Sequence, residues 1–140
     1  MVLGKSAFIK LVPGSKQETV TLDDVKALLD SYCDIKSKTG KQLGWDYEEA
    51  AFPYDLEKQE QDGVPYLLLK GRKPEQYNYI IMGVSREEES GTPYIQVVLP
   101  KNATEGDWAK GNEFSKFIAQ HLKGELHLFN GRVMYYNNRK

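Results

Sequence analysis

Cysteine is almost missing from this chain: Cys33 stands alone. A single cysteine excludes an internal disulfide and any zinc site built on a cysteine cluster, and it suits a reducing compartment. Neither sign of charge dominates. Nineteen basic against twenty acidic residues leave a formal charge of −1, so no global field draws in nucleic acid or an anionic membrane. Long apolar runs are lacking as well. Nowhere do about eighteen apolar residues follow one another, so no spanning helix is expected. The opening "MVLGKSAFIKLVPGS" has too short an apolar stretch for a signal peptide. These absences point to a cytoplasmic protein. Asn102-Ala103-Thr104 matches a glycosylation acceptor, which without an export signal is a chance match.

What is present reads as one globular domain, 1–140. A charged fraction of 28% with 40% hydrophobic residues rules out wholesale disorder. "KSAFIKLVP" (5–13) alternates, with Ala7, Ile9 and Leu11 on one side and Phe8 and Lys10 on the other, as a half-buried strand does. Thr21 three residues before Asp24 suits a helix start. Leu22, Val25, Leu28, Leu29, Tyr32 and Cys33 follow at helical spacing, which places the thiol in a buried, inert stripe. "DIKSKTGKQLGW" is polar and glycine-punctuated, so a loop is expected there. The acidic stretch to Asp62 carries at most a short helix near 46–51, stopped by Pro53. Strands are predicted at 64–71, 77–85 and 92–100, joined by short turns as an antiparallel meander. A second helix runs from a cap at Thr104 through Trp108 and Ile118 to Lys123-Gly124. The final "ELHLF-NG-RVMYY" reads as a hairpin with a two-residue Asn-Gly loop. The fold class is therefore α+β: a two-layer, largely antiparallel sheet of about five to six strands with helices on one face, in the order β-α-βββ-α-ββ, and an irregular acidic segment at 41–62.

No catalytic constellation emerges. Gly40-Lys41 lacks the upstream glycine and following hydroxyl of a phosphate loop, since Ile35 and Gln42 stand there. "GVSRE" is not a hydrolase nucleophile elbow. His121 and His127 are separated by Gly124 and do not share a helical metal spacing. Glu87, Glu88 and Glu89 sit in one tight turn, where adjacent carboxylates rarely converge on one ion. No cofactor and no metal are expected.

The strand patterns do define a face. With Asn130-Gly131 as a two-residue turn, Phe129 opposes Arg132, His127 opposes Met134 and Glu125 opposes Tyr136. Leu126, Leu128, Val133 and Tyr135 would then face the helices. Phe8, Tyr77, Tyr79, His127, Phe129, Arg132 and Tyr136 are the candidate binding residues. Aromatics on an open sheet stack bases in several single-strand binders, but the neighbouring acidic segment argues against a polyanion. A competing expectation is that residues 41–62, rich in Trp45, Tyr47, Phe52 and Tyr54, fold over the face and bury it.

The stretch "VVLPKNATEGDWAKGNEFSKFIAQHLKGELHLFNGRVMYY" resembles a family of small uncharacterised proteins of Bacillus and its relatives, labelled a domain of unknown function. The resemblance runs over the whole chain and implies an α+β fold in a Gram-positive cytosol. It implies no activity, cofactor or site residue. The expected function is a non-catalytic binding or protein-interaction domain using the aromatic sheet face, with a protein partner or a second copy and no membrane. The alternatives are a small-molecule enzyme using carboxylates of 46–62 in a deep pocket, or a homodimer assembled on the sheet face.

Overall fold

Thr21 and Asp24 bond each other reciprocally: the Asp24 N–H donates to Thr21 Oγ1 at 3.1 Å, and the Thr21 N–H donates to Asp24 Oδ2 at 2.9 Å. This capping box starts helix α1, Leu22–Leu43, in the computed structural model, which describes residues 4–43, 52–73 and 75–136. Leu22, Val25, Leu29 and Tyr32 are buried along it. The polar stretch after Cys33, expected as a loop, is helical to Leu43. Lysine and glutamine are good helix formers, and one glycine costs only about 1 kcal/mol, so polarity alone does not end a helix.

Seven strands form one sheet: β1 (Gly4–Lys10), β2 (Tyr54–Gln61), β3 (Val64–Gly71), β4 (Tyr79–Arg86), β5 (Pro93–Pro100), β6 (Glu125–His127) and β7 (Val133–Tyr135). Their order is β2-β3-β4-β5-β1-β6-β7, and every neighbouring pair is antiparallel. Helix α2, Glu105–Leu122, carries the chain from β5 over to β6, on the other side of β1. The expected α+β class and the meander of β3, β4 and β5 are observed. Ala7, Ile9, Leu67, Leu69, Ile80, Met82, Ile95 and Val97 point to the helical side and are all 0% exposed. Tyr32, Phe52, Tyr54 and Phe114 close the core where α1, α2 and the β2 edge meet, with ring centroids 5.2–6.3 Å apart.

Two further expectations need correction. Residues 54–61 are not irregular: they form edge strand β2, paired along its whole length with β3. The joining turn is Asp62-Gly63, both in the left-handed region at φ 53° and 79°, which gives the two-residue type I′ loop that matches strand twist. The charges that suggested a solvated segment belong to an edge strand, where charge blunts edge-to-edge pairing. The short helix expected near 46–51 lies outside the described residues.

The last hairpin is the second correction. The Leu128 N–H donates to the Arg132 carbonyl at 2.8 Å, and the Gly131 N–H to the Leu128 carbonyl at 3.0 Å. The loop is therefore three residues, 129–131, with Gly131 at φ 88°, the arrangement of a turn closed by a left-handed glycine. Glu125 faces Tyr135, Leu126 faces Met134 and His127 faces Val133. That is one residue away from the two-residue register, and a one-residue slip turns every side chain of a strand over. Val133 and Tyr135 leave the core side, at 37% and 49% exposed, while Met134 and Tyr136 pack against the core.

Candidate functional site on the open sheet face

Both helices pack on one side of the sheet, and the other side carries three consecutive rows of side chains. Leu68, Ile81 and Val98 are direct cross-strand neighbours. The next row runs Gly83, Gln96, Phe8, His127 and Val133. The third runs Ser85, Tyr94, Lys10, Glu125 and Tyr135. Phe8 meets Tyr94 edge-on, ring centroids 5.5 Å apart. At Gly83 an added Cβ would meet no atom within 4 Å, so the row has a notch at its β4 end.

Two ion pairs on this face are made within the chain. Lys10 Nζ lies 2.9 Å from Glu87 Oε1, and His127 Nε2 lies 2.7 Å from Glu125 Oε1. The hydrogen bond from Lys10, with a second from Ser90, holds the Glu87 carboxyl below the ordinary carboxylate range, and the nearby His127 acts in the same direction.

Of the seven candidate residues, the structure brings Phe8, Tyr79 and His127 to the open face. Tyr77 is not among them. It precedes β4, stacks on Tyr54 at 5.7 Å and fills the space that a Cβ at Gly106 would need. Period-two alternation had been carried two residues beyond the strand. Phe129 lies against Trp108 of α2, centroids 5.4 Å apart, and Tyr136 donates to Met134 Sδ at 3.7 Å, both on the helical side. Arg132 is exposed just after the terminal hairpin loop, opposite Leu128. Leu68, Ile81, Val98, Tyr66, Tyr94 and Gly83 were missed. Their signal was present: "YLLLKG", "YIIMGVS" and "YIQVVLP" are apolar at both parities, as strands are when both faces are to be covered. Phe52 and Tyr54 are buried on the helical side, so residues 52–62 widen the sheet instead of lying over its open face.

A second polar arrangement sits inside the molecule. Asp107 is 0% exposed. Its Oδ1 accepts from the Tyr54 hydroxyl at 2.5 Å, both oxygens accept from the Asn78 N–H at 3.0 Å, and Oδ2 accepts from the Thr104 N–H at 3.0 Å. The Asp107 N–H returns to Thr104 Oγ1 at 3.1 Å, which completes the cap of α2. Burial, then the hydrogen bond to Asp107 and its charge, push the Tyr54 phenol far above its ordinary value. Every partner of the carboxylate is a donor from the protein itself, so the cluster joins β2, the 76–78 loop and α2 and leaves no oxygen for a substrate. It is a structural lock.

No carboxylate of β2 lines the grooves beside the start of α2, Arg86 or His121. Asp55 is exposed and paired with Arg72 at 3.0 Å, and Glu57 accepts from Gln59 at 2.9 Å. The grooves beside the start of α2, beside Arg86 and beside His121 are open to solvent. Asp46, Glu48 and Glu49 lie outside the described residues. Among the described residues no group of three histidine, cysteine or acidic side chains is placed to hold a metal, and no helix is long and apolar enough to cross a membrane.

Residues 5–138 match the family model described as a domain of unknown function, DUF1885. The chain belongs to the DUF1885 family. A solved structure with this likeness is a protein of unknown function from Bacillus stearothermophilus, 44% identical, with a TM-score of 0.59 over 86% of this chain and 91% of that one. No curated protein matches the chain. The resemblance read from residues 97–136 is thus borne out over nearly the whole DUF1885 chain, and it brings no activity with it.

Proposed function

We propose that this DUF1885 protein is a cytoplasmic, single-domain, non-catalytic interaction module whose open sheet face receives a protein partner. The observation that carries this reading is the strip Leu68–Ile81–Val98, continued by Phe8 and Tyr94, on the side of the sheet away from the helices. Contiguous apolar side chains left half-buried on a sheet face mark interaction sites when they form an extended patch. Lys10 is held by Glu87 and His127 by Glu125, which disfavours a polyanionic partner at this strip. The sole cysteine supports a reducing compartment.

Chemical-shift mapping of the isotope-labelled chain tests this reading, against its own dilution, short oligonucleotides and soluble protein fractions. Perturbations clustered on Phe8, Ile81, Tyr94 and Val98 are expected from protein and not from oligonucleotide. Perturbations confined to the helical side, or none from any source, would overturn it.

A further inference from the structure

We propose that the partner on this face is a second copy of the chain, docked face to face by seating Phe8 of each copy in the Gly83 notch of the other. The proposal rests on the interaction-module reading and commits it to one occupant.

The geometry comes from strand order. β5 is the fourth of seven strands, with β4 on one side and β1 on the other. A two-fold axis along β5, in the plane between two stacked sheets, lays β4 of one copy over β1 of the other and keeps each row in register with itself. Gly83 and Phe8 both pair with Gln96, one from each side. The same axis therefore brings Gln96 onto its counterpart and Phe8 onto the partner's Gly83, twice per dimer. Packed sheets are inclined by about 30°. At about 4.8 Å strand spacing, that shifts a ring from the notch by only about 2.5 Å.

The neighbouring rows fit the same operation. Val98 meets Val98 and Tyr94 meets Tyr94, while Ile81 covers Ser6, because Ile81 and Ser6 both pair with Val98. An isologous contact needs this kind of self-complementarity. A glycine at the centre of a strand otherwise weakens it, and marks a place where something approaches closely. Among the described residues nothing approaches Gly83 on that side. Charge is no obstacle, since Lys10 and Glu125 already have partners at 2.9 and 2.7 Å, and covering paired charges avoids the cost of stranding a single one. Strands β3, β4, β5 and β1, about 25 Å long at about 4.8 Å spacing, with the three-residue β6 beside them, present on the order of 500 Å² per copy. Stable interfaces use about 800 Å² per partner, so a dimer of moderate affinity is expected.

Sedimentation equilibrium of the full chain between about 1 µM and 1 mM is the test. It uses wild type, Phe8→Ala, Gly83→Leu and the double variant, each checked for an unchanged far-UV spectrum. The expected result is a dimer that each single change weakens at least about tenfold and the double variant restores, because leucine then fills the space the ring has vacated. The lack of any atom within 4 Å of a Gly83 Cβ means that the monomer tolerates leucine. A chain monomeric at 1 mM overturns the proposal. The wider reading then stands or falls by shift mapping with heterologous protein. A dimer indifferent to both substitutions also overturns it, and the dilution shifts of that dimer show whether the open face is involved at all.

Discussion

At the scale of single residues, Asp107 holds more together than any other polar group described. Removing the Tyr54 hydroxyl deprives a buried carboxylate of one donor, so Tyr54→Phe should cost about 1.5–3 kcal/mol in denaturant unfolding. Asp107→Asn should cost more, about 3 kcal/mol or above, because an amide NH₂ would be turned toward backbone N–H donors that need an acceptor. The raised phenol also sets a pH dependence. Below pH about 10 the proton is bound in folded and unfolded chains alike, and the contribution of Tyr54 is complete. Above it the unfolded chain releases the proton and the folded one keeps it, so stability falls with rising pH, by up to about 1.4 kcal/mol per unit. Tyr54→Phe should flatten that alkaline fall, which chemical unfolding between pH 9 and 11 would read. Lys123 gives a change of opposite sign. It caps α2 in the left-handed region at φ 53°, which costs a non-glycine residue roughly 1 kcal/mol. Lys123→Gly should raise stability by about 0.5–1 kcal/mol in the same assay. At the adjacent Gly124 a Cβ would stand 3.0 Å from Ile9 Cγ2 and from the Lys10 carbonyl oxygen, so a side chain there requires β1 to give by a few tenths of an ångström.

At the scale of elements, the two hairpin turns carry the lesson. Gly63 occupies a left-handed position in a two-residue loop and Gly131 one in a three-residue loop. Gly63→Ala should therefore destabilise by about 1 kcal/mol, and Gly131→Ala by a similar amount, in thermal unfolding. Asn-Gly and Asp-Gly were equally visible in the sequence. Asn-Gly was read with the wrong loop length, because a dipeptide does not specify whether its glycine is the second turn residue or the closing one. Asp62-Gly63 was passed over because the strand before it, "YDLEKQEQ", is charged at both parities, as an edge strand without a covered outer face is free to be. The caps at Thr21 and Thr104, the meander and the inward side of β1 were legible, since each rests on local periodicity or local hydrogen bonding. The register of β7 was not, and with it went the placing of Phe129, Tyr136, Val133 and Tyr135. Tyr77 was lost in a related way, because alternation says nothing about where a strand begins. Those choices are made by tertiary contacts, with Trp108, Tyr54 and the first turn of α2.

At the scale of the whole molecule, the sheet has one face committed to its helices and one still apolar enough to be covered, and β5 lets the two be compared within adjacent residues. Val97 is 0% exposed beneath the helices, whereas Val98 is only part-buried, beside Ile81 on the other side. A lysine at Val97 would carry its ammonium into a closed core with no carboxylate arranged to receive it, and should cost at least about 4 kcal/mol, enough to unfold a marginal domain. A lysine at Val98 can extend its charge into water along the open face, and should cost a dilute monomer less than about 1 kcal/mol. The contrast should change with concentration. If the open face pairs with its copy, wild-type stability rises with protein concentration, because association adds to the folded state alone. Val98→Lys should abolish that rise while leaving the dilute value nearly unchanged, since two ammonium groups would meet where two isopropyl groups had met. Thermal melts of both chains at about 2 µM and about 500 µM measure the two effects together. A wild-type midpoint that does not move, or a Val98→Lys midpoint that moves as far as the wild type, would show that the strip through Leu68, Ile81 and Val98 contributes nothing to assembly.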